Sequence, residues 1–409
     1  LREEKFMDKM ADVLGRAGAW CGQNKYLSAI KNAFQNFMPL TIAGAIGVLW
    51  CNVLVNDQTG LGLFFKPIMA LDFLNPAFQA VNFCTISCIT VGITLGIAQE
   101  IGVWNMGAEK AGYIPGLVGL AAWLSVTNTS HMVEGAKEAF TGIAGNELGA
   151  TGLFTGMIIG VLSVELFCFF EKQDALKIKM PEQVPPGVAR AFEVLVPATI
   201  TLIITACIGS ACYNLTGLYL NDVIKNGIQG PLGAVGATIP GVMIIYLVIM
   251  LFWLVGIHGN NMLSAVKEAL FTPLALENVE KFNKGEKPTN IINMYALQMW
   301  GEFGGSGVTI GLVIAIMIFG KREDNKAIAT LSLVPGLFNI NETVTFGVPM
   351  VLNPILGIPF VVAPLITIII GYVLTVIGFC PVACLTVPWT TPPIVFGFLA
   401  CGANVMGAV

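Results

Sequence analysis

From residue 327 to residue 409 the chain carries a single charged side chain, Glu342. A stretch of Leu, Ile, Val, Phe, Gly and Pro that long has no polar surface to offer water. It restricts the fold to segments that satisfy their backbone hydrogen bonds internally inside a bilayer. The whole chain agrees: of 409 residues 55% are hydrophobic and 11% charged, where a soluble domain carries about 25% charged residues. The apolar runs have the length of membrane helices rather than the roughly ten-residue alternation of barrel strands. Forty-six glycines and 21 prolines suit packed and interrupted membrane helices. The expected fold class is an all-α polytopic membrane protein with about ten transmembrane helices plus two re-entrant hairpins.

Membrane lipid is therefore a partner by composition. A net charge of −4, with no basic stripe interleaved with aromatics, gives no nucleic-acid partner. Most of the ten cysteines sit inside apolar runs. Cys84 and Cys88, and Cys380 and Cys384, are one helical turn apart, but with two histidines in the chain they read as free thiols, and no metal or cofactor is expected. Residues 1–37 mix Arg2, Lys5, Lys9, Arg16, Lys25 and Lys31 with Phe6, Val13, Trp20 and Tyr26 and show no cleavage-site pattern. They read as a basic amphipathic helix pair at the inner face of the membrane, with the N-terminus cytoplasmic.

Spans are expected at Met38–Leu54, Gln79–Ile101, Ala111–Val126, Thr151–Phe170, Phe192–Tyr213 and Gly236–Ile257. The basic, Pro-rich link Glu171–Arg190 marks a boundary. It gives an amphipathic N-terminus (1–37), an N-terminal membrane half (38–190) and a C-terminal membrane half (191–409). Lys267–Asn290 is densely charged and is expected to be a cytoplasmic loop with a short helix. Ile291–Gly320 begins and ends near cytoplasmic markers, so either a re-entrant element lies around Met299–Gly307 or a span is wrongly drawn. Ile358–Phe379 and Ala383–Val409 complete the expected spans.

Three titratable groups stand alone in apolar surroundings: His258 in Trp253-Leu-Val-Gly-Ile-His-Gly259-Asn260-Asn261, Glu302 in Trp300-Gly301-Glu302, and Glu342 after Asn341. An acidic side chain at a bilayer centre costs about 2.5–3.5 kcal/mol on insertion scales, so such groups face a polar cavity and mark function. Pro335, Gly336, Gly347, Pro349 and Asn353 break the run around Glu342. That fits a re-entrant hairpin lining a binding site, or a short solvent loop between two spans. Glu, His and Asn exchange hydrogen bonds with sugar hydroxyls, and Trp253, Trp300 or Trp389 offer planes to pyranose faces. Singly, Gly259 and Asn260 also suit a helix terminus, and His258 a satisfied polar residue. His131 is given no role.

His258-Gly259-Asn260-Asn261, Trp300-Gly301-Glu302 and Asn341-Glu342-Thr343-Val344-Thr345-Phe346-Gly347 resemble the membrane IIC component of phosphoenolpyruvate-dependent sugar phosphotransferase systems, in the lactose, cellobiose and diacetylchitobiose branch. The resemblance covers essentially the whole chain. It implies a homodimer of ten-span protomers with two re-entrant hairpins, the N-terminal half making the dimer contact and the C-terminal half holding the sugar. It also implies a soluble IIB partner whose phosphocysteine phosphorylates the sugar at the cytoplasmic face, the chain having no phosphoryl-carrying residue of its own. On this reading Glu342 and His258 meet the reacting end of a β-linked disaccharide, diacetylchitobiose or cellobiose, and Gly259, Asn260, Asn261, Glu302 and Asn341 support them. The alternative is a proton-coupled secondary transporter of a small polar solute, with Glu342 and His258 as a relay. An intramembrane enzyme would need a metal-binding His pair or a nucleophile beside a base, and a passive channel a ring of like residues; neither pattern occurs.

Overall fold

Long apolar runs form helices even where they carry an internal proline, as at Pro39, Pro197, Pro359 and Pro364. The computed structural model describes residues 2–57, 61–131, 140–181, 183–348, 350 and 353–409. Its main helices are α1 (Arg2–Gln23), α2 (Lys25–Leu49), α3 (Asn75–Cys84), α4 (Ile89–Met106), α5 (Ile114–Val126), α6 (Ala150–Glu171), α7 (Pro186–Thr216), α8 (Ile239–Leu254), α9 (Gly259–Asn283), α10 (Met294–Gly301), α11 (Thr309–Phe319), α12 (Glu323–Leu337), α13 (Glu342–Gly347), α14 (Pro354–Val376) and α15 (Pro393–Ala400). Among the described residues, strand is confined to 130–131 paired with 140–141. Lys25–Leu54, Lys66–Met106, Ala150–Glu171, Pro186–Thr216 and Ile355–Val376 are long and apolar enough to cross a bilayer. Ile114–Val126, Ile239–Leu254 and Thr309–Phe319 are shorter apolar helices. The fold is all-α and polytopic.

Two compact units are interleaved along the chain. One holds residues 24–40 and 84–232, the other residues 1–23, 41–83 and 233–409. The unit built on 84–232 packs α4, α5, α6 and α7 closely because small residues line their contacts: a Cβ on Gly119 would lie 2.3 Å from that of Ala98. With lipid on the outside, such close backbone approach is what favours helix association. Its polar side chains pair among themselves. Glu171 is buried between Lys110 (2.8 Å) and Arg190 (3.0 Å), and the Thr155 hydroxyl donates to Asn221 Oδ1 at 2.7 Å.

The unit containing residues 233–409 has an apolar core of Ile249, Met250 and Trp253 from α8, Val313 from α11, Ala329 from α12, Val344 from α13, and Phe360 and Val361 from α14. This core fixes the helix ends that carry His258 and Glu342. Two expectations fail here. Lys267–Asn290 is not a loop: α9 continues to Asn283, because Phe271, Ala275, Leu276 and Val279 form a buried helical stripe with Lys267. Ala383–Val409 is not one continuous helix: after Pro388, Pro392 and Pro393 it forms the eight-residue α15. The apolar run before Lys321 does break near Met299–Gly307, where α10 stops and α11 begins after a turn.

Candidate functional site

α8 gives way to a turn in which Gly256 takes φ +81°, a left-handed value that glycine adopts without a Cβ penalty. His258 then caps α9, its Nδ1 accepting from the backbone N–H of Asn261 at 3.3 Å. With Nδ1 an acceptor, the proton of the neutral imidazole resides on Nε2. Nε2 faces Glu342 Oε1 at 3.7 Å, beyond the roughly 3.2 Å limit of a good N–H···O bond. The two groups share a space without consuming each other. A hydroxyl set to one side of the line between them can accept from Nε2–H and donate to the carboxylate. Both side chains are open, 36% exposed for His258 and 48% for Glu342.

Behind them lies Trp253, buried, with its ring 4.3 Å from that of His258 and 6.1 Å from that of Phe346, centroid to centroid. The indole and the imidazole are in contact at a tilt of 45°. Gly259 is also structural, since a Cβ there would fall 2.0 Å from the carbonyl oxygen of Ile249. Asn261 is exposed.

Glu302 has a different environment. Lys267, 6% exposed, forms an ion pair with its Oε1, and the Tyr246 hydroxyl donates to the same atom at 2.9 Å. Lys267 also donates to Asn260 Oδ1 at 3.4 Å, and Asn260 Nδ2 donates to Ser306 Oγ at 2.8 Å. This network ties α8, α9 and the turn after α10 together, so that α9 contributes an open group at His258 and a neutralised buried group at Lys267. Sequence reading passed over Lys267, which sits at the edge of a charged run. Its signal was spacing: Asn260 and Lys267 are two turns apart and so share one helix face.

The turn between α10 and α11 is held against the Glu342 segment. Asn341 Nδ2 donates to the Ser306 carbonyl at 2.6 Å and to Thr345 Oγ1 at 3.1 Å. Gly305 takes φ +91°, and a Cβ there would meet Asn341 Cβ at 2.6 Å. Asn339, at φ 62°, accepts from Gly304 N–H at 2.7 Å and donates to the carbonyls of Trp389 (2.5 Å) and Thr391 (3.0 Å). Trp389 is thereby tethered to this segment, with its indole 44% exposed. Trp300 points elsewhere. It packs so closely on α14 that a Cβ on Gly371 would lie 2.3 Å from its Cδ1, and it lines an apolar cavity of about 350 Å³ with Phe303, Thr367, Phe379 and Pro393. The fold thus gathers His258, Trp253, Asn260, Glu302, Asn341 and Glu342 around one region and turns Trp300 away from it.

Over residues 31–364 the chain matches the family described as phosphotransferase system, EIIC. It is 32% identical to the PTS system oligo-beta-mannoside-specific EIIC component of Bacillus subtilis (strain 168), covering 99% of this chain and 89% of that one. It is 30% identical to the PTS system cellobiose-specific EIIC component of Lactococcus lactis subsp. lactis (strain IL1403), covering 96% and 91%. Among solved structures it is similar to the transporter ChbC, the IIC component from the N,N'-diacetylchitobiose-specific phosphotransferase system. There the TM-score is 0.87 and the identity 29%, over 95% of this chain and 90% of that one.

Proposed function

The chain belongs to the phosphotransferase system EIIC family, sugar permeases that work with a IIB component, and from that premise we propose that it carries a β-linked disaccharide bound between His258 and Glu342. The observation that supports this reading is the open, unbonded His258–Glu342 pair at 3.7 Å. A neighbouring carboxylate, Glu302, is already engaged by Lys267 and Tyr246. Cellobiose and diacetylchitobiose are the favoured sugars. The functional unit is a homodimer, and the N-terminus is cytoplasmic.

In the transfer step the phosphoryl donor is the phosphocysteine of the soluble IIB partner. The sugar hydroxyl oxygen attacks phosphorus, a P–O bond forms as the P–S bond breaks, and the cysteine leaves as a thiolate. The hydroxyl proton passes to the Glu342 carboxylate as general base, while His258 Nε2–H donates to the same oxygen beforehand and fixes its direction. Asn260 and Glu302 support the binding surface, Asn341 holds Glu342 in place, and Trp389 offers an exposed ring to the sugar.

The test is equilibrium binding of radiolabelled cellobiose, diacetylchitobiose and β-linked mannobiose to purified protein, beside His258→Ala and Glu342→Ala. Saturable binding of one sugar, lost in both variants, is the expected result. Unaltered binding in both variants would overturn the site. Uptake driven by a pH gradient with no IIB present would replace the phosphotransfer step with a proton relay.

A further inference from the structure

Residues 11–23 of α1 are exposed or half-buried except at one position. Gly18 alone in that stretch is buried, while Trp20 is exposed, as suits a helix lying at a membrane interface. What covers Gly18 belongs to the sugar site. A Cβ built there would stand 3.0 Å from Ile257 Cδ1 and 3.5 Å from Phe252 Cε1. Ile257 immediately precedes His258, and Phe252 immediately precedes Trp253, the ring on which His258 rests. The same two residues close the turn between α8 and α9, the Ile257 N–H donating to the Phe252 carbonyl at 2.9 Å.

We propose that α1 is a positioning element of the sugar site, seated through side-chain-free Gly18 on Ile257 and Phe252 and thereby fixing the turn that presents His258. The proposal rests on the reading of His258 as a sugar ligand. The physical reason is that contact without a side chain at 18 lets a helix backbone press on both ends of the turn at once. The turn has a left-handed glycine at its centre, and the N–H groups of Val255, Gly256 and Ile257 bond only back to Phe252 and Trp253 at the end of α8. A bulky side chain at position 18 must push Ile257 aside or lift α1 away, and either movement reaches the turn that carries His258.

The experiment uses the full chain in detergent and compares Gly18→Leu with Gly15→Leu. Gly15 is one turn away on α1 and has nothing within 4 Å of its Cβ position. Two readouts are taken: affinity for the disaccharide bound by the wild type, and the emission contributed by Trp253, obtained by subtracting the matching Trp253→Phe protein. Gly18→Leu is expected to weaken sugar binding about tenfold, within the range over which contacting residues couple, and to shift the Trp253 emission. Gly15→Leu changes neither. Adding Ile257→Ala to Gly18→Leu, which removes the atoms in conflict, recovers both readouts and separates repositioning from general misfolding. Unchanged affinity and emission in Gly18→Leu, equal losses in Gly15→Leu, or no recovery in the double variant would each overturn the proposal. If His258→Ala binds sugar normally, the sugar-site reading fails instead, and the Trp253 emission still decides whether α1 sets the turn.

Discussion

Glu342 and Glu302 are chemically identical, and their partners give them different work. Glu342 has His258 across a 3.7 Å gap and nearly half its surface open, whereas Glu302 shares a buried ion pair with Lys267. Glu342→Gln keeps an acceptor oxygen but loses the base. It is expected to retain much of the sugar affinity while phosphorylation in vesicles containing the phosphorylated IIB partner falls at least about a hundredfold. Sugar-phosphate formation at the wild-type rate would remove Glu342 from the transfer step. Lys267→Met leaves the half-buried Glu302 carboxylate without its cation and with the Tyr246 hydroxyl as its donor. It should destabilise the protein by about 1–3 kcal/mol, read as a lowered midpoint of thermal unfolding, and adding Glu302→Gln should restore most of the loss. The isolation of His258, Glu302 and Glu342 among apolar residues made them legible in the sequence. Lys267 was hidden among the charges that follow it, because only the packing of α9 turns that one side chain inward.

At the scale of elements, the turn between α10 and α11 and the segment before α13 act as one clamp. Asn339 joins Gly304 to the carbonyls of Trp389 and Thr391 through three hydrogen bonds. Asn339→Ala leaves those groups without their partner, at about 1–3 kcal/mol for each one that water does not reach. The expected outcome is faster amide hydrogen exchange in residues 302–308 and 389–391, with little change in α4–α6. Unchanged protection in both turns would show the clamp to be redundant. The break near residues 299–307 and the interruption around Pro335–Asn341 were readable from glycine, proline and asparagine. The helical course of α9 was not, since its charges suggested solvent while its buried stripe of Lys267, Phe271, Leu276 and Val279 followed the 3.6-residue period. The shortness of α15 was written in Pro388, Pro392 and Pro393, which an apolar composition masked.

For the molecule as a whole, the candidate site residues all belong to the unit containing residues 233–409, and the Glu171 cluster belongs to the other. Glu171→Ala removes the buried carboxylate that joins Lys110 to Arg190 and leaves Arg190 with Glu193 at 2.7 Å. A clear loss of thermal stability is expected, with the sugar affinity of the folded fraction unchanged in the binding assay. A parallel loss of affinity would show that the two units are energetically coupled. The sequence by itself determined that the chain lives in a bilayer, is helical, and concentrates its chemistry in a few lone polar groups, because composition and the cost of burying charge are properties of residues taken singly or in short runs. Tertiary structure alone decided which of those groups meet: that His258 stays open beside Glu342, that Lys267 closes off Glu302, and that Trp253 backs the imidazole while Trp300 packs on Gly371. Apart from Trp253 and His258, which one turn brings together, these pairings join residues far apart in the chain, and their geometry depends on how whole helices fit side by side, which no local pattern encodes.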